Sequence, residues 1–436
     1  MDPLENDHWD AVDLYYFANF DHRAIVAKLR RELDRVSESI LGREEIIEQF
    51  ACALLTRNHQ LLLGRTGIAK SLLATEIFAM FDAKEDRTFC IKASVEDTKD
   101  NYFGPIDIPT YRDSGRKVRR TRSSILEAHL AFVDELFDTN EQILRDLMLL
   151  LSDRRLQEGP EEYQAVLHTV MAASNYLRLN EVTEAVIDRF MFRAHIPHET
   201  ETFLQYRIDR AYEQANVRRL APRAPVTMAE IRHVSDIAIG HSDGVQVAIP
   251  DDVLYMKNVI IRYFIDTMRK KEPSYYISPR RQAKVIDLLR ATALLEGRTV
   301  VEDGDLAKMY LGLCSLNAEN GETETFKKTA KDTLQMLAAD PALREQLVFL
   351  TGVLKIIDEL KRDPETPIDL NRVVPPQRGW REDFLRAAAA GIETNRVRLD
   401  ALRQSIDDLR PSMLYVNELK IGCLREIQKI TRLHFA

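Results

Sequence analysis

From His22 to about Ile40, apolar residues recur three and four apart, with Val26, Leu29, Leu33 and Val36 in register. That spacing predicts a helix with one buried face. Residues 1–24 are polar and aromatic-rich and read as a lead segment. The pattern changes after Leu41. Up to about Pro197, compact apolar runs at Gln60–Leu63, 89–92, 130–133 and 170–173 alternate with amphipathic stretches. Each run is long enough for a buried strand. Strands alternating with helices predict a three-layer α/β sheet.

Residues 199–320 switch to helical spacing. Phe203, Tyr206 and Ala211 begin it, and Ile286, Leu289, Ala293 and Leu294 continue it, with Pro222, Pro225 and Pro250 in its loops. A smaller all-α domain is expected there. Residues 321–436 are helical again. Leu343, Leu347, Leu350, Leu354 and Ile357 form one stripe; Leu399, Leu402, Ile406, Leu409, Met413 and Val416 form another. Pro364, Pro367, Pro375 and Pro376 mark the loop between them, so a C-terminal helical hairpin is predicted, with Pro411 kinking or ending its second helix near Arg410. The stripes suit either an internally packed bundle or a protruding arm for a partner.

Candidate chemistry begins where the run Gln60–Leu63 ends. Gly64, Arg65, Thr66, Gly67, Ile68, Ala69, Lys70 and Ser71 follow it and lead into a predicted helix over 72–81 that opens with Leu72. Strand, glycine loop and helix in this order make a phosphate-binding loop. Backbone N–H groups and the helix N-terminus surround phosphates, Lys70 reaches the β- and γ-phosphates, and Ser71 places its hydroxyl on Mg²⁺. ATP and Mg²⁺ are the ligands expected. Ala69 departs from the pattern, because it stands where a second glycine belongs and its Cβ makes a positive φ costly.

The run at 130–133 ends in Asp134 and Glu135. At the C-terminal end of a buried strand, these acids face the ligand edge of the sheet. Asp134 would hold Mg²⁺ through its water shell, and Glu135 would orient and deprotonate the attacking water. The run at 170–173 ends in Ser174 and Asn175, and Asn175 could position that water between Glu135 and the γ-phosphate.

With these residues the chain resembles the MoxR-type AAA+ ATPases, most of all their RavA-like branch. The resemblance covers about residues 25–315. It is carried by Ile40-Leu41-Gly42-Arg43-Glu44, the loop ending Gly67-Ile68-Ala69-Lys70-Ser71, Phe103-Gly104-Pro105, Glu127-Ala128-His129, Asp134-Glu135-Leu136-Phe137, Asn140-Glu141-Gln142-Ile143-Leu144, Asp153-Arg154-Arg155, Asp188-Arg189-Phe190 and Ser278-Pro279-Arg280. That branch tolerates alanine before the loop lysine. The resemblance implies an AAA+ core over 25–198, an all-α lid over 199–320 and a helical accessory region over 321–436. It also implies roles: Asn175 as sensor 1, Arg189 as the arginine finger acting on a neighbour's nucleotide, and Arg280 as sensor 2. Arg193 and Arg281 stand as substitutes for Arg189 and Arg280. A finger in trans needs a neighbour, so a homo-hexameric ring is expected. The family's chaperone-like action on other protein complexes, often with von Willebrand factor A domain partners, is expected with it.

Residues 111–122 carry Arg112, Arg116, Lys117, Arg119, Arg120 and Arg122. In the family a β-hairpin insert here faces the ring pore, where these charges would favour an acidic polypeptide or, less so, nucleic acid. Nucleic-acid translocation and a nucleotide-gated scaffold are the rival functions. The net charge of −8 over 436 residues disfavours a dedicated duplex-DNA binder. No apolar stretch is long enough to span a membrane, and no basic segment followed by an apolar run opens the chain. Cys52, Cys90, Cys314 and Cys423 are isolated. They read as reduced core thiols, which fits a cytoplasmic protein.

Overall fold

The computed structural model describes residues 20–82, 87–177, 180–197, 201–214, 224–369, 372–373 and 395–435. Most of the expected lead segment, Pro222, Pro375 and Pro376 lie outside them. Two compact units are present. The first holds residues up to Ala248, Ile277–Val301 and Lys308–Glu324; the second holds Ile249–Tyr276, Glu302–Ala307 and the residues from Thr325 onward. The helical stretch 199–320 contributes to both.

In the first unit, α1 (His22–Ser39) starts on Asp21, whose side chain accepts from Arg23 N, and is followed by α2 (Glu44–Leu55). Then come β1 (Gln60–Leu63), α3 (Lys70–Phe78), β2 (Thr88–Lys92), α4 (Lys99–Phe103), α5 (Ile108–Ser114), β3 (Leu130–Asp134) and α6 (Glu141–Asp153). The chain continues through β4 (Arg155–Glu158), β5 (Glu161–Gln164), β6 (Thr169–Ser174), α7 (Glu181–Arg189), β7 (Phe192–His195), α8 (Thr202–Gln214) and α9 (Met228–Ala238). The central sheet has six strands in the order β2-β3-β6-β1-β7-β8, with β8 at Ser315–Leu316, and all neighbours run parallel. All four predicted strands are present. The short β7 and β8 were not anticipated, because four-residue and two-residue strands carry too little periodicity to be read. The sheet is covered by side chains such as Leu61, Phe103, Val133, Leu147 and Phe190, all at most 2% exposed. That burial is what a parallel sheet with helices on its faces requires.

Between those segments lie α10 (Asp251–Arg269), α11 (Pro279–Leu295), α12 (Asp303–Leu306), α13 (Tyr310–Leu313) and α14 (Glu322–Ala339). Of these, α11 and α13 belong to the first unit. The second unit is built from α10, α12, α15 (Pro341–Arg362), α16 (Asn395–Asp407) and α17 (Leu414–His434), with α15 packed on both α10 and α17. The predicted second helix of the hairpin is two helices. Pro411 breaks it, and α16 and α17 pack on each other. Leu399, Leu402, Ile406, Leu409, Met413 and Val416 are each at most 2% exposed. The stripes are therefore spent inside a bundle, which removes the protruding-arm reading. Cys52, Cys314 and Cys423 are buried as expected, whereas Cys90 is exposed on the edge strand β2.

Candidate functional site

Strand register assembles the site. Leu63 of β1 pairs with Ser174 of β6, and Val133 of β3 pairs with Ala172 of β6. The residues that follow these strands, Gly64, Asn175 and Glu135, therefore emerge side by side at the C-terminal edge of the sheet. Gly64 N donates to Ser174 O at 3.1 Å, tying the loop entry to β6. A Cβ on Gly64 would come within 2.4 Å of Ile68 Cδ1 and 3.0 Å of Ile196 O, so a side chain here would crowd both neighbours. Arg65, Thr66, Gly67, Ala69, Ser71 and Leu72 are exposed along the loop and first helical turn, while Lys70 is buried.

Ala69 adopts φ 65°, ψ 25°, the left-handed conformation in which its Cβ is a liability. The loop geometry is thus that of a glycine, held by a residue that resists it. Glu135 is likewise left-handed at φ 53°.

Lys70 Nζ donates to Gly64 O at 2.5 Å, Arg65 O at 3.1 Å and Asn175 Oδ1 at 2.5 Å. On its other side, Asn175 Nδ2 donates to Glu135 Oε1, and Asn175 N donates to Glu135 Oε2 at 3.2 Å. An ammonium only donates and an ionised carboxylate only accepts, so the Asn175 amide has one sensible orientation. Burial lowers Lys70 from its ordinary value, opposed by the charges of Glu135 and Asp134. Ser71 Oγ donates to Asp134 Oδ2 at 2.8 Å. A hydroxyl and a carboxylate side by side, with lone pairs to spare, are the hard oxygen donors that suit Mg²⁺. Asp134 Oδ1 accepts from Glu135 N at 3.0 Å, which fixes the carboxylate's rotamer. Among the predicted residues the structure brings together Lys70, Ser71, Asp134, Glu135 and Asn175.

It does not bring Arg189 and Arg280 to them. Arg189 ends α7, which leads into β7, and the first residue of β7, Phe192, pairs with Gln60 at the start of β1. Arg189 therefore sits at the N-terminal edge of the sheet, a strand's length of roughly 10 Å from the edge that carries the loop. Its Nη1 pairs with Asp188 at 3.2 Å, and its Nε is buried with no hydrogen-bond partner among the described residues. Arg280 is on the first turn of α11. There Arg281 donates to Met191 O at 3.1 Å and Gly312 O at 2.8 Å, and Lys284 donates to Asn58 Oδ1 at 2.6 Å. Asn58 and Met191 precede β1 and β7, so this turn lies at the same N-terminal edge. Arg280 is exposed and makes no ion pair among the described residues. Arg281 is committed to two backbone carbonyls, which leaves Arg280 as the available guanidinium. Lys284 went unremarked in the sequence. Its signal was its position four residues after Arg280, on the same helix face.

A sequence profile for the MoxR domain of MoxR-vWA-β-propeller ternary systems matches residues 27–236, and one for an AAA lid domain matches residues 250–322. Residues 27–236 are thus similar to the MoxR domain of AAA+ proteins, and an AAA lid match follows them. Two uncharacterized proteins of Methanocaldococcus jannaschii are each 27% identical to this chain over 286 residues, covering 65% of it and 69% of their own length. Chaperone MoxR1 of Mycobacterium tuberculosis is 26% identical over 309 residues, covering 66% of this chain and 74% of its own. A crystal structure of a candidate ATPase from Cytophaga hutchinsonii shares the AAA+ fold, with a TM-score of 0.53 and 16% identity over 74% of this chain and 95% of that one.

The basic segment differs from the MoxR-based expectation of a β-hairpin. Residues 108–114 form α5, and 115–121 are neither helix nor strand apart from one bridge between Ile106 and Arg119; the hairpin is β4–β5 instead. Arg116 pairs with Glu161 at 2.9 Å, Arg119 with Glu158 at 2.5 Å and Asp100 at 2.6 Å, and Arg120 with Asp107 at 2.7 Å. Burial lowers Arg119, but the two carboxylates outweigh it and hold the guanidinium above its ordinary range. Half of the six cations are thus neutralised by their own chain. No helix of the described residues is long and apolar enough to cross a membrane.

Proposed function

We propose that this MoxR-type protein binds ATP with Mg²⁺ at Gly64–Leu72, Ser71 and Asp134, and hydrolyses it to ADP and phosphate. The reading is carried by the relay Lys70–Asn175–Glu135, which joins a phosphate-binding cation to a general base through one amide. ATP would draw Lys70 from Asn175 Oδ1 to its β- and γ-phosphates. The amide of Asn175, still bonded to Glu135, would then hold the carboxylate beside the attacking water, and Glu135 would take the water's proton. Mg²⁺, when bound, would neutralise charge developing on the β- and γ-phosphates. Ser71 and Asp134 would orient that ion.

Arg189 and Arg280 lie at the edge of the sheet away from Lys70, so both would act on the nucleotide of a neighbouring copy. That geometry supports a ring of identical subunits, expected to be hexameric, since head-to-tail contacts whose rotation closes form rings. Guanidinium groups supplied in trans raise phosphoryl-transfer rates by about 10³–10⁵-fold. We infer that the work done is remodelling of a partner complex in the cytoplasm, the partner carrying a von Willebrand factor A domain. The matching profile, named for MoxR-vWA-β-propeller systems, supports that class, while the RavA-like branch is the reading carried by the sequence motifs. The charge balance of the segment 111–122 gives nucleic-acid translocation less support than its sequence does. Phosphate release by the wild type, abolished in Glu135→Gln, together with capture of a vWA protein by that variant with ATP, is the expected result. Unchanged turnover in Glu135→Gln would refute the ATPase reading.

A further inference from the structure

Lys284 takes no part in the chemistry above. It shares a small concave site with Asp188, Met191, Ser278, Arg280 and Arg281. Three cations there face one carboxylate, and Asp188 is already paired with Arg189 at 3.2 Å. Arg281 is spent on backbone carbonyls. Lys284 donates one hydrogen bond to Asn58 Oδ1 of the neutral amide at 2.6 Å and makes no ion pair among the described residues. Asp287, on the next turn, lies 3.7 Å from Arg290. Partly desolvated positive charge without a counter-ion is unfavourable, and an arriving anion relieves it.

We propose that Lys284, together with Arg280, grips the terminal phosphate of a nucleoside triphosphate held by a neighbouring copy. This rests on the reading that the N-terminal edge of the sheet serves a neighbour's site. Four-residue spacing on α11 projects both side chains from one face, so a phosphate that meets the Arg280 guanidinium is also within reach of the ammonium. The ammonium donates in three directions, and Asn58 uses one of them. The surroundings hold Lys284 close to losing its charge. Burial lowers it to about 8, Arg280 and Arg154 push the same way, and Asp287 and Asp188 oppose them.

The test mixes two impaired proteins. Glu135→Gln copies present Lys284 but cannot hydrolyse; Lys284→Met copies can hydrolyse but present no ammonium. Each alone is expected to release phosphate at least ~10-fold more slowly than wild type, and an equal mixture to recover about a quarter of the wild-type rate, because only sites flanked by an intact face work. Lys284→Arg keeps the cation and is expected to retain most of the activity and to lack the loss of rate above about pH 8 expected of the wild type. Full activity in Lys284→Met, no gain on mixing, or the same alkaline loss in Lys284→Arg would overturn the assignment. Arg189→Ala mixed with Glu135→Gln serves as the control. If that pair recovers and the Lys284 pair does not, only the Lys284 inference falls; if neither does, the two-copy reading falls with it.

Discussion

The Asn175 side chain accepts the Lys70 ammonium at 2.5 Å and through the same amide donates to Glu135, so the phosphate-binding group and the base are one bond network. Asn175→Asp keeps the acceptor for Lys70 but removes the donor and sets a like charge against Glu135. Turnover is expected to fall roughly 10²–10³-fold, the usual cost of losing one preorganised donor. ATP affinity, measured with a non-hydrolysable analogue, is expected to change far less. An equal loss in both would mean that the amide holds nucleotide rather than base.

Ala69 sits at φ 65°. Ala69→Gly removes a Cβ from a left-handed residue and is expected to stabilise the folded chain by about 1 kcal/mol. Urea unfolding should show a higher midpoint with an unchanged slope. A lower midpoint would show that the alanine makes contacts worth more than the strain.

Arg119 is 3% exposed and holds Glu158 and Asp100. Arg119→Ala leaves Glu158 without its cation, although water reaches Asp100, which is 52% exposed. A destabilisation of about 2–4 kcal/mol is expected, below the full cost for a completely buried pair. Arg112, Lys117 and Arg122 make no ion pair among the described residues, so their joint replacement by alanine should leave the melting temperature nearly unchanged. Should either substitution alter binding of a polyanion, it would be the triple one.

His59 and His168 are fully enclosed, and burial first, then nearby arginines, holds both well below the ordinary histidine value; burial likewise lowers His129 to about 4. Folding therefore favours their neutral forms. The stabilisation is complete above the unfolded value of about 6.5 and is lost as pH falls, by about 1.4 kcal/mol per group per pH unit. Denaturant midpoints should be flat from pH 8 to 7 and fall steeply between about pH 6 and 5. His59→Gln, which keeps hydrogen-bonding atoms but cannot titrate, should make that fall shallower.

Much of this was legible from local pattern. Apolar runs ending in Gly64, Asp134 and Asn175 fix both the strands and the residues beyond them, because a buried parallel strand must be apolar and its ligand edge must not be. Helical periodicity likewise gives α1, α15 and the break at Pro411. Pairing is not written in any one segment. That Leu63 lies beside Ser174, that Arg119 is neutralised from β4, and that Lys284 reaches Asn58 all depend on strand order and on helices far apart in sequence. The order in which Lys70, Glu135 and Asn175 occur could be read along the chain, and their hydrogen bonds came from the register of β1, β3 and β6. Arg189 and Arg280 follow in the same linear order, yet the parallel direction of β7 carries them to the other edge of the sheet. Sequence determines which residue types are available, because local patterning selects strand and helix. Only the tertiary structure decided which of them meet, because strand direction and register are settled by packing across the whole sheet.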